Sequence, residues 1–98
     1  AVAIAAAIAM GESSGVPNRT NKVAPDYSIG LWQIKMLAHQ ERYGTEAELM
    51  VPERNAAAAY AIYLGRGSTF AAWSVYTNNA YLRYLPQMQA AANSRGLS

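Results

Sequence analysis

The residue best placed to do chemistry is Glu12, a carboxyl-bearing residue that ends an apolar segment. Ile4, Ile8 and Glu12 are spaced four residues apart, so a helix would place them in one row on one face. A carboxyl group there loses hydration and also meets the negative end of the helix dipole, and both effects raise its pKa. A glutamic acid kept protonated near neutral pH can donate a proton to the leaving oxygen of a glycosidic bond.

The spacing alone favours a simpler interpretation, in which Glu12 lies at the end of the helix and points into solvent, because terminal charges are usually hydrated. Asp26, in the predicted loop, is the single candidate for a partner carboxylate. Helix surfaces or caps explain the remaining acidic residues, which are Glu41, Glu46, Glu48 and Glu53.

The elements that must position Glu12 begin with an alanine-rich segment over residues 1–12, which predicts a first helix. Ser13, Ser14 and Gly15 favour caps and turns and should end it. Residues 15–26 are polar, contain two prolines and predict a long loop. Residues 30–37 should lead into a second helix that ends near Gly44.

The second half of the sequence predicts further helices. Thr45 and Glu48 match a capping box, and Pro52 suits the first turn of a helix that runs to Leu64 and is closed by Gly65. A short helix is predicted over residues 70–76, and residues 77–79 should cap a last helix. Pro86 lies inside that last pattern and could kink or split it.

The fold class expected from these elements is all-α. We find no alternating run of β-branched residues and predict no sheet of importance. At 98 residues and 52% hydrophobic composition, residues 1–98 should form a single domain with one core. The sequence starts without Met and almost inside the first helix, so we expect the domain to belong to a longer chain.

Composition argues against several function classes. The net charge is +2 and the eight Lys and Arg residues are scattered, which disfavours a nucleic-acid surface. There is no cysteine and only His39 among the histidines, so we expect no disulfide, metal or other cofactor. His39 is predicted to lie on a helix surface. The apolar start of the chain is too short for a membrane span, so we expect no membrane insertion.

Three ordered motifs resemble those of lytic transglycosylase domains related to goose-type lysozyme, especially the domains of phage tail tape-measure proteins. The first, Ala5 to Ser13, looks like a helix that ends in the catalytic Glu-Ser pair. The second, Gly30-Leu31-Trp32-Gln33, looks like Gly-Leu-Met-Gln, with Trp in place of the usual Met. Between the second and third motifs, Pro52-Glu53-Arg54-Asn55 is similar to the family's Asp-Pro-x-x-Asn helix.

The third motif is Ala72 to Asn79, which resembles Ala-Tyr-Asn-Ala-Gly when Tyr76 is aligned with the family tyrosine. Thr77 and Asn79 replace the usual Asn and Gly, so no role is carried over to these two positions. The resemblance spans nearly the whole chain and implies a lysozyme-like helical domain with a glycan-binding groove.

The resemblance also implies roles for individual residues. Glu12 would be the single acid/base, and Tyr76 would donate a hydrogen bond that orients it. Gln33 would bind sugar N-acetyl and hydroxyl groups, and Ser13 would hold the peptidoglycan or the neighbouring loop, although a helix-end hydroxyl explains Ser13 equally well. Aromatic rings can stack on sugars, and Trp32 and Tyr81 are expected in the groove, whereas Trp73 is expected in the core.

The implied activity is cleavage of the β-1,4 bond between N-acetylmuramic acid and N-acetylglucosamine in peptidoglycan, by lytic transglycosylation. The alternatives are a hydrolytic muramidase, a non-catalytic peptidoglycan-binding module of a phage tail, and a purely structural helical bundle. The implied setting is a phage tail in the virion, acting on the host cell wall, with a secreted or periplasmic bacterial protein as the alternative.

Overall fold

The computed structural model describes residues 2–36 and 42–97. Helix α1, Val2–Ser13, is the first element and is made mostly of alanine and isoleucine. It packs against the C-terminal helices, and Gly11 faces the Val75 side chain there. Among the described residues no helix is both long and apolar enough to cross a bilayer.

A small antiparallel sheet follows α1. Its strands are β1, Thr20–Asn21, β2, Ser28–Ile29, and β3, Ile34–Lys35, in the order β1-β2-β3. Ile29 pairs with Thr20 on one side and with Ile34 on the other. The fold is therefore mostly helical, as predicted, but not all-α.

The sheet corrects part of the prediction that residues 30–37 lead into a helix, because Met36 is helical but the residues before it are not. Residues 31–33 form a turn, and the chain then enters β3. A strand of two residues is too short to produce an alternating pattern, and its stability comes from cross-strand hydrogen bonds and from burial of Ile29 and Ile34. The expected continuation of that helix and the surface position of His39 fall in residues 37–41, outside the described residues.

The next two helices begin and end as the sequence predicts. Helix α2, Glu46–Leu49, starts with the predicted capping box, in which the Thr45 side chain accepts from the Glu48 backbone N–H and the Glu48 carboxylate accepts from the Thr45 N–H. Helix α3, Pro52–Gly65, begins at the proline and ends at the glycine.

The C-terminal region is divided more finely than predicted. Helix α4 is Ser74–Thr77, and it starts later than expected because Trp73 is extended. A 3₁₀ helix, Ala80–Arg83, precedes α5, Leu85–Ser94, whose first turn contains Pro86. The predicted split of the last helix at this proline is confirmed.

The core lies between α1, the sheet and α3. Its buried members are mostly aliphatic, with one indole: Ile8, Ile29, Ile34, Met36, Leu49, Ala58, Ala59, Ile62 and Trp73. Burial of this cluster is the main favourable term that holds the short strands against the helices.

Candidate active site

Glu12 lies in the last turn of α1 and is partly exposed. Ile8, one turn earlier on the same face, is fully buried, and Ile4 packs against the core. Burial of the Glu12 carboxyl raises its pKa above the ordinary value, and the positive charge of Lys35 lowers it in part. This partly buried position differs from the solvent-exposed one that the spacing alone favours, and the direction of the pKa shift is the one expected for a carboxyl in a row with Ile4 and Ile8.

Glu12 opens onto a cleft of about 430 Å³. One group of lining residues comes from the sheet and its loops: Asn21, Asp26, Ser28, Gln33, Ile34 and Lys35. The other group comes from the end of α3 and the segment that leads into α4: Ile62, Arg66, Ala72, Trp73 and Ser74. Most of these side chains are polar or charged, as expected of a site that binds a hydroxyl-rich ligand.

Four ionisable side chains share this cleft: Glu12, Asp26, Lys35 and Arg66. The ion pairs found among the described residues, Lys22–Glu46 and Arg54–Glu48, involve none of them. Within the same part of the chain, no hydrogen bond reaches the Glu12 carboxyl. Among the described residues the carboxyl thus has no hydrogen-bond or ion-pair partner, and it is available to a ligand.

Gln33 lines the cleft in a left-handed backbone conformation, with φ of 48°. Its Nε2 donates to the carbonyl oxygens of Gly30 at 2.9 Å and Arg19 at 3.1 Å. These two bonds use the amide nitrogen and leave the amide oxygen able to accept from a ligand. The predicted sugar-binding residue is thus held in the cleft by the main chain around it.

Asn55 holds the turn before Gln33 by hydrogen bonds from α3. It is fully buried, its Nδ2 donates to the carbonyl oxygens of Ile29 and Leu49, and its Oδ1 accepts from the Trp32 N–H. Gly30 has φ of 82°, and a Cβ there would collide with the Asn55 amide and the Leu49 carbonyl. The close approach of α3 to the turn before Gln33 therefore requires glycine.

Ser13, predicted to hold substrate or loop, is buried, with 1% exposure. Its hydroxyl donates to the Ala9 carbonyl at 2.9 Å and accepts from the Gly15 N–H at 3.2 Å. In this structure the side chain secures the end of α1 and the start of the loop, and it does not line the cleft.

The indole of Trp32 lines a second cavity, of about 410 Å³, instead of the Glu12 cleft. Its Nε1 donates to the Ala5 carbonyl. Trp73 lines both cavities, is 6% exposed, and donates from Nε1 to the Trp32 carbonyl at 2.8 Å. The core position expected of Trp73 is confirmed, and Trp73 forms part of the wall between the two cavities.

Tyr76 and Tyr81 stack on each other, with ring centroids 5.0 Å apart, and Tyr76 also contacts Phe70. Neither ring is among the residues that line the Glu12 cleft, and no hydrogen bond between the described residues joins Tyr76 to Glu12. The predicted orienting bond from Tyr76 is therefore not made in this structure.

Of the residues predicted from the sequence, Glu12, Asp26 and Gln33 are brought together by the fold in one cleft. Other residues that line the same cleft were not predicted. The missed polar residues are Asn21, Ser28, Lys35, Arg66 and Ser74. Lys35 lies two positions after Gln33, and this alternate spacing was the signal in the sequence that could have pointed to Lys35. No such signal pointed to Arg66, because tertiary packing brings the end of α3 to the sheet.

No group of three or more His, Cys, Asp or Glu side chains suited to a metal ion occurs within residues 2–36 and 42–97. The chemistry available to the cleft from its own side chains is proton transfer at a carboxyl, hydrogen bonding and charge stabilisation.

A model of the family described as a lysozyme-like domain matches residues 1–75. The match includes every residue that lines the Glu12 cleft, whereas Tyr76 and Tyr81 lie beyond it. Comparisons with curated proteins and with solved structures gave no match. The family indicates an enzyme of the glycosidase or transglycosylase type that binds and cleaves peptidoglycan. From the matched residues and the mostly helical fold around the Glu12 cleft, we conclude that the chain belongs to the family of lysozyme-like domains.

Proposed function

We propose that this domain is a lytic transglycosylase, which cleaves the β-1,4 bond between N-acetylmuramic acid and N-acetylglucosamine with Glu12 as its single acid/base. The observation that carries the proposal is a partly buried carboxyl with a raised pKa at the edge of a polar cleft. A raised pKa keeps the carboxyl protonated closer to neutral pH, which a general acid requires.

In the first step the Glu12 carboxyl donates its proton to the glycosidic oxygen, and the N-acetylglucosamine side leaves as an alcohol. The carboxylate that remains is negatively charged, and the nearby Lys35 stabilises that charge. Lys35 thus opposes the raised pKa of the resting acid and favours the state that follows proton donation.

In the second step the Glu12 carboxylate takes the proton from the C6 hydroxyl of the muramoyl sugar. The C6 oxygen forms a bond to C1, which yields a 1,6-anhydro product and returns Glu12 to its protonated form. No second carboxylate takes part. Gln33 would accept from an N–H or O–H of the sugar through its free amide oxygen.

A hydrolytic muramidase is the second candidate, and the position of Asp26 in the same cleft favours it. In that reaction a water molecule attacks C1, and Asp26 would act on the water or on the developing positive charge. Mass spectrometry of the released fragments separates the two reactions, because an anhydro end is lighter than a reducing end by one water molecule.

The test of the acid/base assignment is loss of turbidity of purified cell walls. The Glu12→Gln variant should be at least about 100-fold slower than wild type, because it cannot donate or accept the proton. Glu53→Gln, which removes an exposed carboxylate from α3, is the matched control and should leave the rate unchanged. Cleavage by Glu12→Gln at the wild-type rate would exclude Glu12 as the acid/base.

A non-catalytic wall-binding module is a third possibility, and it predicts tight sedimentation with cell walls but no released fragments from wild type. For the biological setting we propose a phage tail, in which residues 1–98 form one domain of a longer protein that acts on the host wall. A secreted or periplasmic bacterial protein is the alternative. Mass spectrometry of peptides from purified virions distinguishes these settings.

A further inference from the structure

Two cations lie in the Glu12 cleft and form no ion pair among the described residues. Lys35 and Arg66 both line the cleft, whereas Lys22 and Arg54 are neutralised by glutamates elsewhere on the surface. When Glu12 is protonated, Asp26 is the remaining negative charge in the cleft. With Glu12 protonated, as a general acid requires, the cleft therefore carries a net positive charge and favours an anionic ligand group.

The two cations differ in their relation to Glu12. The positive charge of Lys35 lowers the pKa of Glu12, so we assign Lys35 to the ionisation of that carboxyl. Arg66 follows the last turn of α3, and its backbone N–H donates to carbonyl oxygens of that turn, including that of Ile62. Ile62 lies four residues earlier and lines the same cleft. The backbone is thus fixed, while the exposed guanidinium has no ion pair within the described part of the chain.

A guanidinium is planar and presents paired N–H donors that match the two oxygens of a carboxylate. Muramoyl sugars differ from plain N-acetylglucosamine in a lactyl ether whose carboxyl group is free or amide-linked to a peptide, and such peptides carry carboxylates of their own. The geometry points to Arg66 as a specificity-determining residue that binds a carboxylate on the muramoyl side of the glycan strand. This inference rests on the proposed function, because it assigns a substrate group to the cleft of that reaction.

The test compares three substrates: glycan strands with their peptides, strands stripped of peptide by an amidase, and strands whose carboxylates have been converted to neutral amides. Arg66→Gln should raise KM about fivefold on strands with carboxylates, the range of an exposed ion pair, and leave KM unchanged on neutral strands. An effect on intact strands alone assigns a peptide carboxylate, and an effect on stripped strands alone assigns the lactyl carboxylate that the amidase frees. An effect on both shows that Arg66 binds either carboxylate. Arg66→Lys should recover only part of the loss, since it keeps the charge but lacks the paired donors.

Arg95→Gln removes an equal charge outside the cleft and is the matched control. The inference is overturned if Arg66→Gln behaves like Arg95→Gln, or if it raises KM equally on charged and neutral strands. Sedimentation with intact strands, in the Glu12→Gln background, gives a second readout that needs no catalysis. Weaker sedimentation of Glu12→Gln/Arg66→Gln supports the carboxylate contact even if wild type proves inactive, whereas cleavage that survives Glu12→Gln defeats the proposed reaction alone.

Discussion

The side-chain oxygen of Asn55 accepts a hydrogen bond from the backbone N–H of Trp32 at 2.9 Å, across 23 residues of sequence. The same side chain donates to the carbonyl oxygens of Ile29 and Leu49 at 2.9 and 2.8 Å. One buried amide thereby joins β2, the end of α2 and the turn that presents Gln33. This clamp, and not the length of the strands, fixes the sheet side of the cleft.

Replacing Asn55 with Asp should therefore destabilise the domain by about 2–4 kcal/mol. The carbonyl oxygens of Ile29 and Leu49 lose their donor, and a buried carboxylate replaces the amide. Denaturation by urea measures the loss. Asn18→Asp makes the same chemical change at an exposed loop position and should cost less than about 0.5 kcal/mol. Equal stability of the two variants would show that the Asn55 hydrogen bonds do not hold the fold.

Gly30→Ala should also be strongly destabilising, and comparison with Gly67→Ala separates the cost of close packing from the cost of the backbone conformation. Gly30 and Gly67 have nearly the same backbone, with φ of 82° and 77°, but a Cβ at Gly67 meets nothing within 4 Å. We expect Gly67→Ala to cost about 1 kcal/mol, the cost of the left-handed backbone. Gly30→Ala should cost about 3 kcal/mol or more, because it adds a collision with Asn55 and Leu49. Equal thermal shifts would contradict the close packing.

The stability of the domain should depend on pH through Glu12. Its pKa in the folded state lies above the ordinary value of 4.5, so between the two values the folded chain keeps a proton that the unfolded chain has lost. Stability therefore falls as pH rises through this window. Glu12→Gln removes the effect and should be more stable than wild type at about pH 7, with the difference shrinking toward about pH 4. Urea titrations at both values, with Glu53→Gln as control, check the sign.

Lys35→Gln should move the pH dependence of cleavage. The positive charge of Lys35 lowers the pKa of Glu12, so its removal raises that pKa further. The descending limb of kcat/KM at high pH reports loss of the acidic proton and should shift to higher pH. Lys22→Gln removes an equal charge that is paired with Glu46 outside the cleft and should leave the limb in place. A shift to lower pH in Lys35→Gln would refute the coupling.

Tyr76→Phe tests the role that the third motif implies for this hydroxyl. The ring already packs on Phe70 and Tyr81, so removal of one oxygen should leave the thermal midpoint nearly unchanged. If the hydroxyl orients Glu12 when substrate is bound, kcat should fall about 10-fold, the value of one well-placed hydrogen bond. Unchanged kcat would leave Tyr76 with a packing role only.

The sequence allowed the helices that carry the site to be predicted, because their signals are local. The spacing of Ile4, Ile8 and Glu12 placed the carboxyl at the end of α1, and Pro52 and Gly65 marked both ends of α3. Each of these signals acts within a few residues of the boundary that it sets. The position of Glu12, the proposed acid/base, was therefore accessible to sequence reasoning.

The sheet and half of the cleft were not accessible in the same way. The strands are two residues long, and their hydrogen bonds join positions that are separated in sequence, such as Ser28 and Lys35. Gln33 was expected at the start of a helix, but its left-handed backbone places it in a turn. Arg66 reaches the cleft only because α3 packs against β3, and such long-range packing leaves no local pattern.

The buried hydroxyl of Ser13 links the end of α1 to the loop that follows it. It binds the last turn of α1 through Ala9 and the first residues of the loop through Gly15, so the helix end is closed before the exposed loop begins. Amide protons at the end of α1 should then exchange with solvent only in rare, large openings, while those of the loop exchange through local ones. The last turn of α1, which carries Glu12, should therefore stay ordered even when the loop after it opens.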